Sequence, residues 1–288
     1  MKRILVLALS LLSLYGYSQT VNVGVRGGLS IPNVIAGGDN PLSKGYSSRF
    51  AGTGGAFAEL GMNNLLSLRL GVEYSGQGGN RNGVQAMATN QLMSSVISNM
   101  GVSANAPGMS AMLGQIGSSL PSIFYADVKN EAKFDYLMIP LSLQVGKDFG
   151  KSWRVYVGAG PFVSFLLSAK QVSKGQSELY TDASKSQTLW DIIPSTVKPL
   201  ITENAPELAY ALASEMEFGT TDIKDDLRKV NVGVQGDLGL SYQCNRNKLF
   251  LEVGGNYGFV RLQKEEVNGS NRIGSATVML GYAYRLGK

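Results

Sequence analysis

The sequence predicts an all-β protein: an eight-stranded antiparallel up-and-down transmembrane β-barrel with short helices in two long extracellular loops. Three observations predict it. Apolar and polar residues alternate in eight separate segments, the connections between these alternate between short and long, and no run after the N-terminal leader reaches the roughly 18 apolar residues of a membrane helix. The stretch LSLRLGVEYSG, residues 66–76, shows the pattern most clearly: Leu66, Leu68, Leu70, Val72 and Tyr74 alternate with Ser67, Arg69, Gly71, Glu73 and Ser75. A period of two belongs to a strand with two unlike faces, not to a helix.

Residues 1–18 begin with Lys2 and Arg3, continue through an apolar run at 4–14 and end in small residues at Gly16 and Ser18. This reads as a secretory signal peptide with cleavage after Ser18, its core being too short for a stop helix. Residues 19–288 then form a single barrel domain. VNVGVRGGLSI at 21–31 sets Val21, Val23, Val25 and Leu29 against Asn22, Gly24, Arg26, Gly28 and Ser30. A Gly-rich second strand, RFAGTGGAFAEL at 49–60, carries Glu59 and leads into the 66–76 stretch. FDYLMIPLSLQVG (134–146) and WRVYVGAGPFVSFLLSA (153–169) follow, then VNVGVQGDLGLSYQ (230–243), LFLEVGGNYGFV (249–260) and SATVMLGYAYRL (275–286).

The turns GMNNL, KDFGKS and CNRNK join three pairs of strands tightly, whereas residues 78–131 and 171–228 form long loops. Short periplasmic turns and long extracellular loops are the outer-membrane arrangement, and an even strand count puts both termini in the periplasm. Loops this long call for structure of their own. Met93, Val96, Ile97 and Met100, then Met109, Met112, Leu113 and Ile116, recur at helical spacing in the first. In the second, APELAYALASEMEFG places Pro206 at a helix start, Leu208, Ala209, Leu212, Ala213 and Met216 on one stripe, and Gly219 as a stop.

Alternation alone is equally compatible with a soluble lipocalin-like carrier, but two features favour lipid on the apolar side. The polar positions hold Gly, Ser, Asn and Gln with few charges, which suits a narrow lumen rather than a solvated face. A high glycine content, 36 residues, also relieves crowding where a tilted sheet closes. Aromatic residues then fall at both edges of the aliphatic band: Trp153, Tyr242, Tyr282 and Tyr284 at the turn side, Tyr74, Tyr257 and Phe259 at the loop side, as interfacial girdles do. Arg26, Glu59, Arg69, Glu73, Asp237, Glu252 and Arg285 all fall on the inward parity and are expected to form a structural charge network plugging the lumen.

GVRGGLS, LGVEYSGQGG, FDYLMIPLSLQVG and the closing LGYAYRL together resemble the PorT-like outer-membrane β-barrel domain family, also labelled porin-family proteins. The resemblance implies a barrel in the cell outer membrane and, among its functional alternatives, a narrow pore or an accessory part in protein secretion.

The chain has no histidine, which removes Ser-His-Asp and Cys-His catalysis, HExxH and histidine-based zinc sites. GTGGAF at 52–57 lacks the spacing and the Gly-Lys-Ser/Thr ending of a phosphate loop. Cys244 is the single cysteine, so no internal disulfide forms. We therefore expect a non-enzymatic protein with no cofactor and no bound metal, displaying its loops for binding or membrane integrity. The expected partners are outer-membrane lipid and lipopolysaccharide, the barrel-assembly machinery, and an extracellular ligand or secretion partner of unstated identity. Nucleic acid is not expected, since the net charge of +5 comes without a dense basic cluster.

Overall fold

The computed structural model describes residues 20–89, 120–204 and 206–286; the expected signal peptide and the Met-rich helical segment of the first loop lie outside them. The first five strands are β1 (Thr20–Ala36), β2 (Ala51–Gly61), β3 (Leu66–Ala88), β4 (Ile123–Phe149) and β5 (Trp153–Lys174). Three short strands follow, β6 (Gln176–Ser177), β7 (Met216–Glu217) and β8 (Thr220–Asp222), and then β9 (Val230–Cys244), β10 (Asn247–Gly258) and β11 (Asn271–Leu286). The eight long strands lie in the order β4-β3-β2-β1-β11-β10-β9-β5, and β4 pairs with β5 to close the ring. Every pairing in it is antiparallel and joins sequence neighbours or the first and last strands. Closure leaves no sheet edge, the condition for a spanning β-structure.

Pleat alternation then decides what faces where. Val25, Leu70, Val72, Val157, Leu238 and Leu251 stand exposed on the outer face, whereas Ser67, Arg69, Glu73, Gln144 and Glu252 are buried inside. The apolar set therefore faces outward all round the ring.

The strands outrun the segments read from sequence, chiefly at the long-loop end. The loop expected at 78–131 is narrower: β3 runs on to Ala88 and β4 begins at Ile123, pairing from Leu66↔Val145 to Ala88↔Ile123. Alternation falters at Gly78 and Gly79, which is where the sequence pattern breaks. Gly78 has φ 125°, and a Cβ there would lie 1.9 Å from the Ala132 carbonyl oxygen, so glycine lets the ladder continue through this irregularity.

In the second loop, helices α1 (Leu189–Ile192), α2 (Lys198–Asn204) and α3 (Pro206–Ala213) pack against the long-loop end of β4 at Phe124, Ala126 and Val128. Thr188 and Asp191 cap α1 reciprocally, and the hydrogen bonds from Thr188 hold the Asp191 carboxyl below the usual carboxylate range. Pro206 opens α3 as expected, and Leu208, Ala209 and Leu212 are buried, but Ala213 is exposed and Ala211 takes its place in the core. The helix stops at Ala213, well short of Gly219, because Met216 and Glu217 pair with β6. Phe124, Leu179, Leu189, Ile201, Leu208 and Leu212 form the centre of this outer core. Each such side chain, fully buried, contributes roughly 1.5–3 kcal/mol.

Candidate functional site

The charged residues of the lumen meet because their strand positions fix both parity and height. Glu59 lies opposite Arg69 in the β2–β3 register, and Arg69 Nη2 donates to Glu59 Oε2 at 2.9 Å. Lys248 Nζ donates to the other Glu59 oxygen, Oε1, at 2.7 Å. Arg69 Nη1 donates to Glu252 Oε1. Arg26 Nη1 donates to Glu252 Oε2 and Arg26 Nε to Glu73 Oε1, each at 2.7 Å. The outcome is one chain of alternating charge, Glu73–Arg26–Glu252–Arg69–Glu59–Lys248, built from β1, β2, β3 and β10. Three cations balance three carboxylates, as burial of charge requires.

Aromatic side chains fill the space around this chain. Tyr156 Oη donates to Glu252 Oε1 at 2.6 Å. The Arg69 guanidinium carbon lies 4.5 Å from the Phe57 ring centroid and 5.1 Å from that of Phe250, and Phe57 and Phe250 meet edge to face at 5.6 Å. Glycine makes room for these rings: a Cβ on Gly239 would sit 2.2 Å from the Tyr156 ring, and one on Gly281 2.0 Å from Phe250. The register places Gly55 and Gly281 on either side of Arg26, where Glu73 and the Phe250 ring take the space a side chain would occupy.

Two residues expected in the network stand apart from it. Arg285 has the inward parity but lies near the end of β11 at the short-turn side, half-buried and without an ion pair among the described residues. Its register neighbour Asn22, rather than Arg285, reaches Glu59, donating to Oε1 at 3.2 Å. Asp237 also faces inward without an ion pair, and its Oδ1 has no hydrogen-bond partner. With Glu73 and Arg26 it lines a cavity of about 20 Å³, room for one water. The expected network thus contracts to Arg26, Glu59, Arg69, Glu73 and Glu252 and gains Lys248. The sequence places Lys248 in the CNRNK turn, yet β10 starts at Asn247 and Lys248 shares the parity of Phe250 and Glu252. Extending the alternation by one step would have found it. Tyr156, Phe57 and Phe250 could have been found the same way.

The aromatic set lies on the outer face. Trp153 stacks beside its register neighbour Tyr242, centroids 4.9 Å apart, and Tyr282 donates its hydroxyl to Asn247 Oδ1 at 2.7 Å, all near the short turns. Tyr284 is exposed beside them. Toward the long loops, Tyr257 and Phe259 meet at 5.9 Å and Tyr74 donates to Asp135 Oδ1 at 2.5 Å. Each ring is amphipathic or apolar and sits at an edge of the aliphatic band.

The lumen assembly neutralises itself: every carboxylate oxygen in the chain except Glu73 Oε2 accepts a hydrogen bond. Such an arrangement ties opposite walls together, β10 to β2 and β3 across the ring.

The outer membrane protein beta-barrel domain family matches residues 17–263. No curated protein matches the chain in sequence. Among solved structures, the chain is similar to Neisserial surface protein A, with 12% identity over 94% of this chain and 100% of that one and a TM-score of 0.39. It is also similar to OprG from Pseudomonas aeruginosa, with 11% identity over 94% and 98% and a TM-score of 0.36. A major outer membrane protein from Thermus thermophilus gives 11% identity, 94% and 100% coverage and a TM-score of 0.38. The closed ring of strands, rather than these likenesses, carries the fold.

Proposed function

The chain belongs to the outer membrane protein beta-barrel domain family, and from that premise we propose that it is a closed, non-enzymatic barrel that holds its long-loop end outside the cell for binding. The observation that carries this reading is the division of the molecule into a self-neutralised lumen and a separately packed outer module. Buried side chains that pair with one another across the lumen support a closed barrel over a pore. The outer module has its own apolar core, on a hairpin that continues past the aliphatic band. A barrel serving only as an anchor would need neither. A soluble carrier is disfavoured by the aliphatic outer face. An accessory part in secretion, implied by the PorT-like resemblance, would use the same outer module, and no residue contact favours it over ligand or surface binding.

Orientation is the testable core of this reading. Cys244 is exposed at the short-turn end, and Ser195 is exposed in the loop between α1 and α2. In intact cells a membrane-impermeant maleimide should label a Ser195→Cys, Cys244→Ser variant and leave the native Cys244 unmodified until the outer membrane is opened. Labelling of Cys244 alone in intact cells would reverse the barrel and end the proposal.

A further inference from the structure

In the lumen each cation of the chain has a carboxylate. At the long-loop mouth that pattern breaks. Arg81, inward on β3 and 7% exposed, has no carboxylate partner among the described residues. Its Nη1 donates to the Ala86 carbonyl at 3.0 Å and its Nη2 to the Pro41 carbonyl at 2.9 Å. Its guanidinium carbon lies 5.5 Å from the Tyr46 ring centroid, with the Tyr46 hydroxyl also within hydrogen-bonding reach. These neutral groups fix the fork in place without supplying a counter-charge, and a buried cation in that condition favours an anion strongly.

Directly across the β3–β4 ladder from Arg81 stands Asn130. It is 5% exposed, and its Oδ1 is buried with no hydrogen-bond donor. Arg81 and Asn130 line the same cavity, about 70 Å³, whose other walls include Val34, Leu42, Phe134 and Leu262. A single water needs only roughly 10–15 Å³ of such space, so the cavity has room for more than one. Asp226 also borders the cavity but is exposed and forms no ion pair with Arg81. The site therefore offers a cation with unfilled donor capacity, a buried acceptor lacking a donor, and an apolar wall, all within one small enclosure.

We propose that this cavity binds a short organic acid that also carries a hydrogen-bond donor, a small hydroxy acid or amino acid, with its carboxylate on Arg81 and its hydroxyl or ammonium group donating to Asn130 Oδ1. An inorganic anion without a proton, such as sulfate, would satisfy Arg81 and leave Asn130 unpaired. A plain carboxylate would do the same. This deepens the outward-binding reading by naming a ligand class, and it rests on that reading only for the side from which ligand arrives.

The test uses the full mature chain refolded in lipid vesicles, with calorimetric titration of glycolate, glycine, acetate and sulfate. Glycolate or glycine should bind saturably and about tenfold or more tighter than acetate and sulfate, neither of which carries a donor at neutral pH, since a site built around a donor rejects analogues lacking it. Glycolate favoured over glycine would assign the hydroxyl class; the reverse would assign the ammonium class, with Asp226 assisting. Arg81→Met should weaken binding at least about tenfold, and Asn130→Leu should remove the preference over acetate. Equal binding of acetate or sulfate, no saturable binding of any probe, or an unchanged affinity in Arg81→Met would overturn the proposal. Should Arg81→Met fail to refold, the probe ranking on the native chain and on Asn130→Leu still decides. Because refolded vesicles expose the mouth irrespective of cellular orientation, failure here is distinguishable from failure of the maleimide experiment.

Discussion

Arg26 in the lumen and Arg81 at the mouth are almost equally buried, 6% and 7% exposed, on inward positions of adjacent parts of one barrel. Arg26 sits between the carboxylates of Glu73 and Glu252; Arg81 has two backbone carbonyls and a tyrosine ring. The difference separates two uses of a buried guanidinium. Held between opposite charges, it is a tie whose removal leaves its partners unpaired. Held by neutral groups, it keeps unspent attraction for an anion.

Four substitutions test that contrast, from the largest expected effect to the smallest. Arg26→Met should cost about 3–5 kcal/mol in urea-driven unfolding from lipid vesicles, because Glu73 is left with no cation and Glu252 with one fewer. Pairing it with Glu73→Gln should recover part of that loss; no recovery would show that the ion pair is not what the arginine contributes. Leu70→Arg, on the outer face of the same barrel, should cost up to about 2–4 kcal/mol by placing a cation against acyl chains. A silent Leu70→Arg would mean that the outer face does not meet lipid. Arg81→Met should cost no more than about 1–3 kcal/mol, the penalty for two carbonyls losing their donors, since no buried carboxylate is orphaned. A loss equal to that of Arg26→Met would erase the distinction between the two regions. Arg285→Gln, outside the chain, should stay within about 0.5 kcal/mol.

The barrel was legible in the sequence because a closed sheet with unlike surroundings writes its period of two into every strand. Leu68, Arg69 and Leu70 announce outside, inside and outside without reference to any other segment. Strand ends were less legible, since glycines and asparagines at Gly78, Gly79 and Asn80 break the pattern while Asn80 and Ser47 still exchange backbone hydrogen bonds. Parity identified five members of the charge chain, but parity does not say which inward side chains meet, so it also singled out Arg285, which forms no ion pair among the described residues. Lys248 was hidden for the opposite reason, its turn-like neighbours masking a strand position. Arg81 and Asn130 were invisible as a pair because their juxtaposition depends on the β3–β4 register beyond the aliphatic band, where no alternation of hydropathy points to it.

The central claim is that the charge chain and its aromatic surroundings close the lumen, leaving function to the loop end. Planar-bilayer recording of the refolded native chain tests it most directly. The account predicts a flat baseline, without unitary current steps, across the voltage range the bilayer tolerates. Reproducible ion-selective steps from the native chain, altered in size by Glu252→Gln, would show a conducting path through the network and contradict it.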